Sequence, residues 1–302
     1  MAVHVRRGGT CAYAKGGARA VGAERRWPRT PSILVEPAPC GKETVLAISP
    51  SYSVRSVERV VVGADAIPAL LVHSDAPGTR PAVLIQHGYG AGKSDLLPLA
   101  EILARYGFIS LLPDAWGHGE RFPASGPNWL TELTADYFHE VLRHTLRSLR
   151  TCLDTLVEMA GVRAHTVLLA GFSMGAVAAL LLGVLDARVA GVISASGSAA
   201  SDLLDISIAG SRLPGPEARA WALEHDAAAH LARLAPRPLL LQHGRTDDLI
   251  PVANTLRLYE AARPFYADSP ERLGLMLYDH RHTVSQEQIE DAVSWTAARF
   301  GE

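Results

Sequence analysis

From residue 57 onwards, the apolar positions of this chain follow two alternating patterns. Short continuous apolar runs, typical of strands buried on both faces, are separated by longer segments in which apolar residues recur every three or four positions, typical of helices. Six such alternations follow a first pair of strands that flank the turn Gly63-Ala64-Asp65. The pattern predicts an α/β fold, with a mostly parallel central sheet, an antiparallel N-terminal hairpin and helices on both faces.

The individual elements can be located from these runs. The predicted strands are 57–62, 67–74, 81–86, 108–115, 166–170, 189–195, 237–242 and 273–278, and the predicted helices are 94–106, 134–160, 174–185, 252–262 and 284–300. Residues 197–235, between two of the strands, interrupt the alternation with turn-rich pieces around a short helical pattern near 218–234. An insertion of this length predicts a small cap over the carboxyl edge of the sheet.

The first 45 residues differ in composition from the rest. Residues 1–30 hold seven Lys and Arg side chains and one acidic side chain, a charge of +6, although the whole chain carries −2. This head is rich in Gly and Ala and has no apolar periodicity. We therefore expect residues 1–45 to be a disordered or irregular basic extension and residues 46–302 to form the α/β domain, with 197–235 as its cap.

The stretch from Thr166 to Leu185 contains no charged side chain and is long enough to span a bilayer. It also contains Gly171 and Gly175, and strands and helices of a sheet are predicted on both sides of it. We expect it to be a buried strand, a turn and a buried helix, and we expect no membrane span.

Composition narrows the choice of partners. The near-neutral charge gives no reason to expect a nucleic-acid partner. Cys11, Cys40 and Cys152 are widely spaced without a Cys-x-x-Cys pair, which argues against a disulfide framework or a zinc site and favours a cytoplasmic setting. The segment 88–94 lacks the spacing of a phosphate loop. We expect no cofactor and no metal.

Ser173 is the candidate nucleophile. It lies in Gly171-Phe172-Ser173-Met174-Gly175, after a predicted buried strand and before a predicted helix. In such a tight turn the residues two before and two after the serine are pressed together and must be small. The turn lifts the hydroxyl above the sheet and brings it to a helix N-terminus, where the N–H of Met174 can bind an oxyanion.

A serine needs a base, and the base needs a carboxylate to orient it. Asp247 and Asp248 follow the strand 237–242, and we favour Asp247 because it precedes Pro251 by four residues. His280 and His282 follow the last strand, and we favour His282 because it comes just before the final helix. The spacing leaves Asp248 and His280 open as alternatives.

Three His-Gly pairs, at residues 87, 118 and 243, each follow a predicted strand, at the edge of a parallel sheet where ligands bind. After the first pair, the N–H of Tyr89 is a candidate second oxyanion donor. For His87 and His243 we expect hydrogen bonds that orient loops, with neither acting as the base.

These segments resemble the α/β-hydrolase family. "LLAGFSMGA", "LLLQHGRTDDLIP" and "YDHRHTVSQE" resemble its nucleophile elbow, acid loop and histidine loop, and "LIQHGYG" and "LLPDAWGHGER" resemble its oxyanion strand and the next strand. The five segments occur in the family's order over residues 55–302, and they are most similar to dienelactone-hydrolase and prolyl-oligopeptidase-like esterases. The chain has Ser173 where dienelactone hydrolases use cysteine, and it lacks the propeller and the usual aromatic residue after the serine of oligopeptidases.

The resemblance implies a serine carboxylic ester hydrolase that acts on small or medium acyl substrates through an acyl-enzyme. A peptidase, thioesterase or lactonase would use the same triad, and a non-catalytic ligand-binding protein of the same fold is the alternative from another class. The oligomeric state is open.

Overall fold

A computed structural model describes residues 50–122, 135–205 and 214–301 of the chain. Within these ranges, eight strands form one sheet. They are β1 (Val54–Val62), β2 (Ile67–Ser74), β3 (Arg80–Gln86), β4 (Ile109–Pro113), β5 (Val162–Phe172), β6 (Val189–Ala195), β7 (Leu239–Gly244) and β8 (Leu273–Tyr278). The helices are α1 (Leu97–Arg105), α2 (Ala135–Glu158), α3 (Met174–Leu185), α4 (Pro216–Glu224), α5 (Leu231–Leu234), α6 (Val252–Ala262) and α7 (Gln286–Phe300).

The strand order is β1-β2-β4-β3-β5-β6-β7-β8. The hairpin of β1 and β2 is antiparallel, and β2 also pairs antiparallel with β4. The pairs from β4 through β3, β5, β6 and β7 to β8 are all parallel. The predicted mostly parallel sheet with an antiparallel N-terminal hairpin is therefore confirmed.

The sheet is covered on both faces because successive residues of a strand point to opposite sides. Leu169 of β5 belongs to the larger core, packed under α2 to α6, whereas Leu168 belongs to the smaller core under α1 and α7. Both side chains are at most 1% exposed. Burial of both faces explains why the central strands are continuous apolar runs instead of alternating ones.

The uncharged stretch 166–185 ends β5, turns at Ser173 and continues as α3. Eleven of the twelve residues of α3 are buried, because this helix lies between the sheet on one side and α2 and α5 on the other. Its apolar composition thus reflects packing inside the domain. Among the residues that the structure describes, no helix combines the length and the apolar character needed to cross a membrane.

The insertion differs in detail from the helical pattern that the sequence suggested near 218–234. Helix α4 ends at Glu224, and a short 3₁₀ turn, Ala227–His230, precedes α5. The break occurs at Asp226, whose carboxylate accepts a hydrogen bond from Ala228 N–H and thereby starts a new turn. Residues 206–213 of the insertion and the expected extension 1–45 lie outside the described residues.

Candidate active site

Ser173 forms the turn between β5 and α3 with φ 56° and ψ −119°. A non-glycine residue rarely holds a positive φ, and the surrounding hydrogen bonds fix it here. Its N–H donates to the carbonyl of Ala195 on the neighbouring strand at 2.8 Å. Its own carbonyl accepts the N–H groups of Ala176 and Val177 at 3.0 and 3.1 Å, which starts α3. The serine side chain is therefore held on a rigid turn at the carboxyl edge of the sheet.

The glycines on either side of Ser173 allow the backbone to approach this closely. A Cβ on Gly171 would lie 2.2 Å from the carbonyl oxygen of Gly175, and a Cβ on Gly175 would lie 2.1 Å from that of Gln86. The contacted atoms belong to the backbone, which can move only if the turn itself is distorted. A side chain at Gly171 or Gly175 would therefore force the turn apart.

His282 lies in the segment between β8 and α7, and it contacts both other predicted triad residues. Its Nε2 is 2.9 Å from Ser173 Oγ, and its Nδ1 is 2.7 Å from Asp247 Oδ2. A neutral ring that donates Nδ1–H to the carboxylate can accept the serine proton at Nε2. The ring of Phe172 packs against the imidazole, with centroids 5.0 Å apart.

Asp247 lies in the turn after β7, with its side chain fully buried. Its Oδ1 accepts the N–H groups of Leu249 and Ile250 at 3.0 and 2.9 Å. Burial alone would raise the pKa of Asp247, but hydrogen bonds from His243, His282 and the Ile250 N–H outweigh it and hold that pKa well below its usual range. The carboxylate is therefore ionised.

The two alternatives that the sequence left open make other contacts. Asp248 is exposed and pairs with the Arg281 guanidinium. His280 bonds through Nδ1 to the Arg281 carbonyl at 2.8 Å and stacks on Tyr278. The structure thus brings Asp247 and His282 to Ser173, whereas Asp248 and His280 both contact Arg281.

The loop after β3 lies directly against the serine turn. A Cβ on Gly88 would be 3.2 Å from Ser173 Cβ and 3.2 Å from Phe172 Cδ1. Tyr89 follows Gly88 in this loop. Met174 is the first residue of α3, so its N–H has no partner within the helix. The predicted oxyanion donors therefore belong to two segments that meet at Ser173.

His87 fixes the beginning of this loop. It donates Nδ1–H to the Gly88 carbonyl at 2.8 Å and accepts the Ala115 N–H at Nε2 at 2.9 Å. Burial is the main cause that lowers the pKa of His87 to about 4. A neutral His87 has one donor and one acceptor nitrogen, and both are used.

An ion cluster that the sequence did not predict fixes the other end of the loop. Lys93 Nζ contacts Asp114 at 2.5 Å and Glu120 at 2.7 Å, and its N–H donates to Asp114 at 2.9 Å. Burial would raise the pKa of Asp114, but the bonds from Lys93 and the Glu120 N–H hold it below its usual range. The sequence contains no signal for this cluster, because Asp114 fell inside the predicted strand 108–115 and its pairing with Lys93 depends on the order of strands in the sheet.

An eight-stranded sheet with this connectivity, a serine on a strand–helix turn and an aspartate and a histidine on two later loops define an α/β-hydrolase. The sequence profile of the Dienelactone hydrolase family matches residues 67–268, and the chain belongs to this family.

Relatives agree with that assignment. The chain is 29% identical to the esterase YjfP of Escherichia coli (strain K12) over 60% of its length and 74% of that protein. It is 27% identical to YitV of Bacillus subtilis (strain 168), for which an esterase activity has been put forward, over 71% of its length and 88% of that protein. The structure of TT1662 from Thermus thermophilus superimposes with a TM-score of 0.65 at 25% identity, covering 82% of this chain and 99% of that one. The family and the relatives support an ester hydrolase activity.

Proposed function

We propose that this protein is a serine carboxylesterase that cleaves esters of small or medium acyl groups through an acyl-enzyme on Ser173. The observation that carries the proposal is the continuous hydrogen-bonded path from Asp247 Oδ2 through both nitrogens of His282 to Ser173 Oγ. The bound ionised carboxylate keeps the imidazole in the tautomer that can accept a proton from the serine.

In the proposed reaction, Ser173 Oγ attacks the ester carbonyl as its proton passes to His282 Nε2. The N–H groups of Tyr89 and Met174 stabilise the oxyanion of the tetrahedral intermediate. The intermediate collapses, the alcohol leaves with the proton from His282, and an acyl-serine remains. Water then attacks this ester with His282 again as base, which releases the carboxylic acid and restores the serine.

The environment of Cys152 supports a serine nucleophile over a cysteine. Cys152 is completely buried in α2, and burial raises the pKa of its thiol to about 12. A thiol that stays protonated and inaccessible cannot attack an ester. Cys11 and Cys40 lie outside the described residues.

Fluorophosphonate labelling tests the proposal. The wild type should react at Ser173, and Ser173→Ala should lose the label together with ester hydrolysis. Ser94→Ala is the matched control, because Ser94 is an exposed serine in the oxyanion loop (residues 87–96, between β3 and α1) and its replacement should change neither. Labelling that persists in Ser173→Ala would contradict the assignment.

A substrate panel separates the proposed esterase from the alternatives on the same triad. We expect p-nitrophenyl acetate and butyrate to be cleaved faster than acyl-CoA thioesters, lactones or aminoacyl amides. A preference for one of the latter three would assign the site to a thioesterase, lactonase or peptidase. Failure of all the acyl probes would favour a ligand-binding protein.

A further inference from the structure

A second histidine reaches the carboxylate that orients His282. His243 is the fifth residue of β7 and is completely buried. Its Nε2 lies 3.2 Å from Asp247 Oδ2, the oxygen that also receives His282 Nδ1. Two imidazoles therefore share one carboxylate oxygen.

Both nitrogens of His243 are engaged. Nε2 lies 2.9 Å from the Ile250 carbonyl, and Nδ1 lies 2.6 Å from Thr255 Oγ, which in turn lies 2.9 Å from the Gly197 carbonyl. Thr255 is 2% exposed, so water does not compete for these bonds. The ring is held between β7, the acid loop and α6.

Two acceptors face Nε2 of His243. Nε2 faces the Ile250 carbonyl and the Asp247 carboxylate, which are both acceptors, so Nε2 must carry a hydrogen. That hydrogen lies against both the Ile250 carbonyl at 2.9 Å and Asp247 Oδ2 at 3.2 Å, so it draws negative charge from Oδ2 and restrains that oxygen. The contact with the carboxylate is among those that hold the pKa of Asp247 low.

We infer that His243 is a positioning residue for the triad: through Nε2–H it holds Asp247 in place and limits the negative charge that the carboxylate offers to His282. This role rests on the proposed function, since it acts on the base that the Ser173 mechanism requires. His243 lies behind the carboxylate, so it should affect kcat and the pH profile with little effect on KM.

The pH profile distinguishes positioning from packing. Asp247 is the titratable group in contact with the rings of both His243 and His282. Ser173 lies on the other side of the His282 ring. The charged Arg281, next to His282 in the chain, is paired with Asp248 at the surface. Without the His243 donor, more negative charge stays on Asp247 and favours the charged form of the base, so the acid limb of the kcat profile should move to higher pH. A residue that only fills space would leave the acid limb of the profile where it is.

The experiment measures kcat, KM and the acid limb for p-nitrophenyl butyrate in four variants. His243→Leu should lower kcat by about tenfold, the usual value of a hydrogen bond to a charged group, and move the acid limb to higher pH. His243→Gln, which can place an amide N–H near the position of Nε2, should restore most of kcat. Thr255→Val should shift both quantities in the same direction by less, because it only frees the far side of the ring.

Thr296→Val is the matched control, because Thr296 is an equally buried threonine that bonds within α7 to Ala292. It should leave the acid limb unchanged. The inference would be overturned if His243→Leu folds and has the kcat and the acid limb of the wild type. If His243→Leu does not fold, equal pH profiles for Thr255→Val and Thr296→Val would overturn it. A wild type that fluorophosphonate does not label at Ser173 would overturn the proposed function as well, which keeps the two failures distinct.

Discussion

Gly88 allows the loop after β3 to lie close to Ser173. The two contacts at 3.2 Å that a Cβ would make there are tighter than ordinary van der Waals contact, but they are not impossible. We expect Gly88→Ala to fold and to lower kcat by about tenfold, because the oxyanion loop must move away from the serine by a few tenths of an ångström.

Gly92→Ala in the same loop is the control for that prediction. A Cβ on Gly92 would meet its nearest atoms at 3.7 and 3.9 Å, which is ordinary contact. Steady-state kinetics with p-nitrophenyl esters compares the two variants. If they have equal kcat values, the close approach of Gly88 is not important for catalysis.

His87 makes stability depend on pH. An unfolded histidine binds a proton near pH 6.5, whereas the folded His87 does so only near pH 4. As the pH falls through this window, the unfolded state gains a proton that the folded state lacks, so the free energy of unfolding falls by up to about 3 kcal/mol. Above pH 6.5 the full contribution is present.

Urea unfolding at pH 7, 5.5 and 4.5 measures this slope. His87→Asn keeps an amide that can donate to the Gly88 carbonyl but cannot titrate, so its unfolding free energy should change less over the window than that of the wild type. Other histidines contribute equally to both proteins, and equal slopes would contradict the role given to His87.

At the scale of elements, the ion cluster of Lys93, Asp114 and Glu120 ties the loop after β3 to the loop after β4. Asp114 is 1% exposed, so removing its partner leaves a buried charge. We expect Lys93→Met to lower the free energy of unfolding by about 3 kcal/mol and to reduce kcat, since the oxyanion loop loses its anchor. Arg263→Met, which removes an exposed ion pair with Glu260, should change stability little and kcat not at all. Equal effects in urea unfolding and kinetics would contradict the anchoring role.

The elements themselves follow from local patterns, but several contacts of the site do not. The period of apolar residues predicts the sheet and helices because burial on two faces is a local property of each segment. The partners of Lys93 lie 21 and 27 residues away and meet it only because β4 lies next to β3. His243 was expected in a loop, whereas the structure extends β7 through it, and that extension directs its ring at Asp247.

At the scale of the whole molecule, the contacts of the site come from segments that the sheet holds at one edge. The triad residues were predicted from their order along the chain and their places after strands, and their catalytic roles stay predictions. The alternation of side chains along an extended segment could not distinguish His282 from His280, because residues two positions apart point to the same side. Packing of the ring against Phe172 and Ser173 is a tertiary property.

Residues 1–30 combine a charge of +6 with a lack of apolar periodicity, so the sequence predicts that this head adds nothing to the core of the α/β domain. We therefore expect a chain without residues 1–45 to keep the kcat/KM and the melting temperature of the full chain. Steady-state kinetics and calorimetry check this. A loss of activity or a lower melting temperature would give the extension a role in the domain.

The identity of the atom that carries the acyl group tests the central claim most directly. Rapid quenching of the enzyme with p-nitrophenyl butyrate, followed by peptide mass spectrometry, should find a butyryl group on Ser173 in the wild type and none in Ser173→Ala, whose turnover should fall by about six orders of magnitude. A butyryl group on another residue, or turnover by Ser173→Ala at the wild-type rate, would contradict the account.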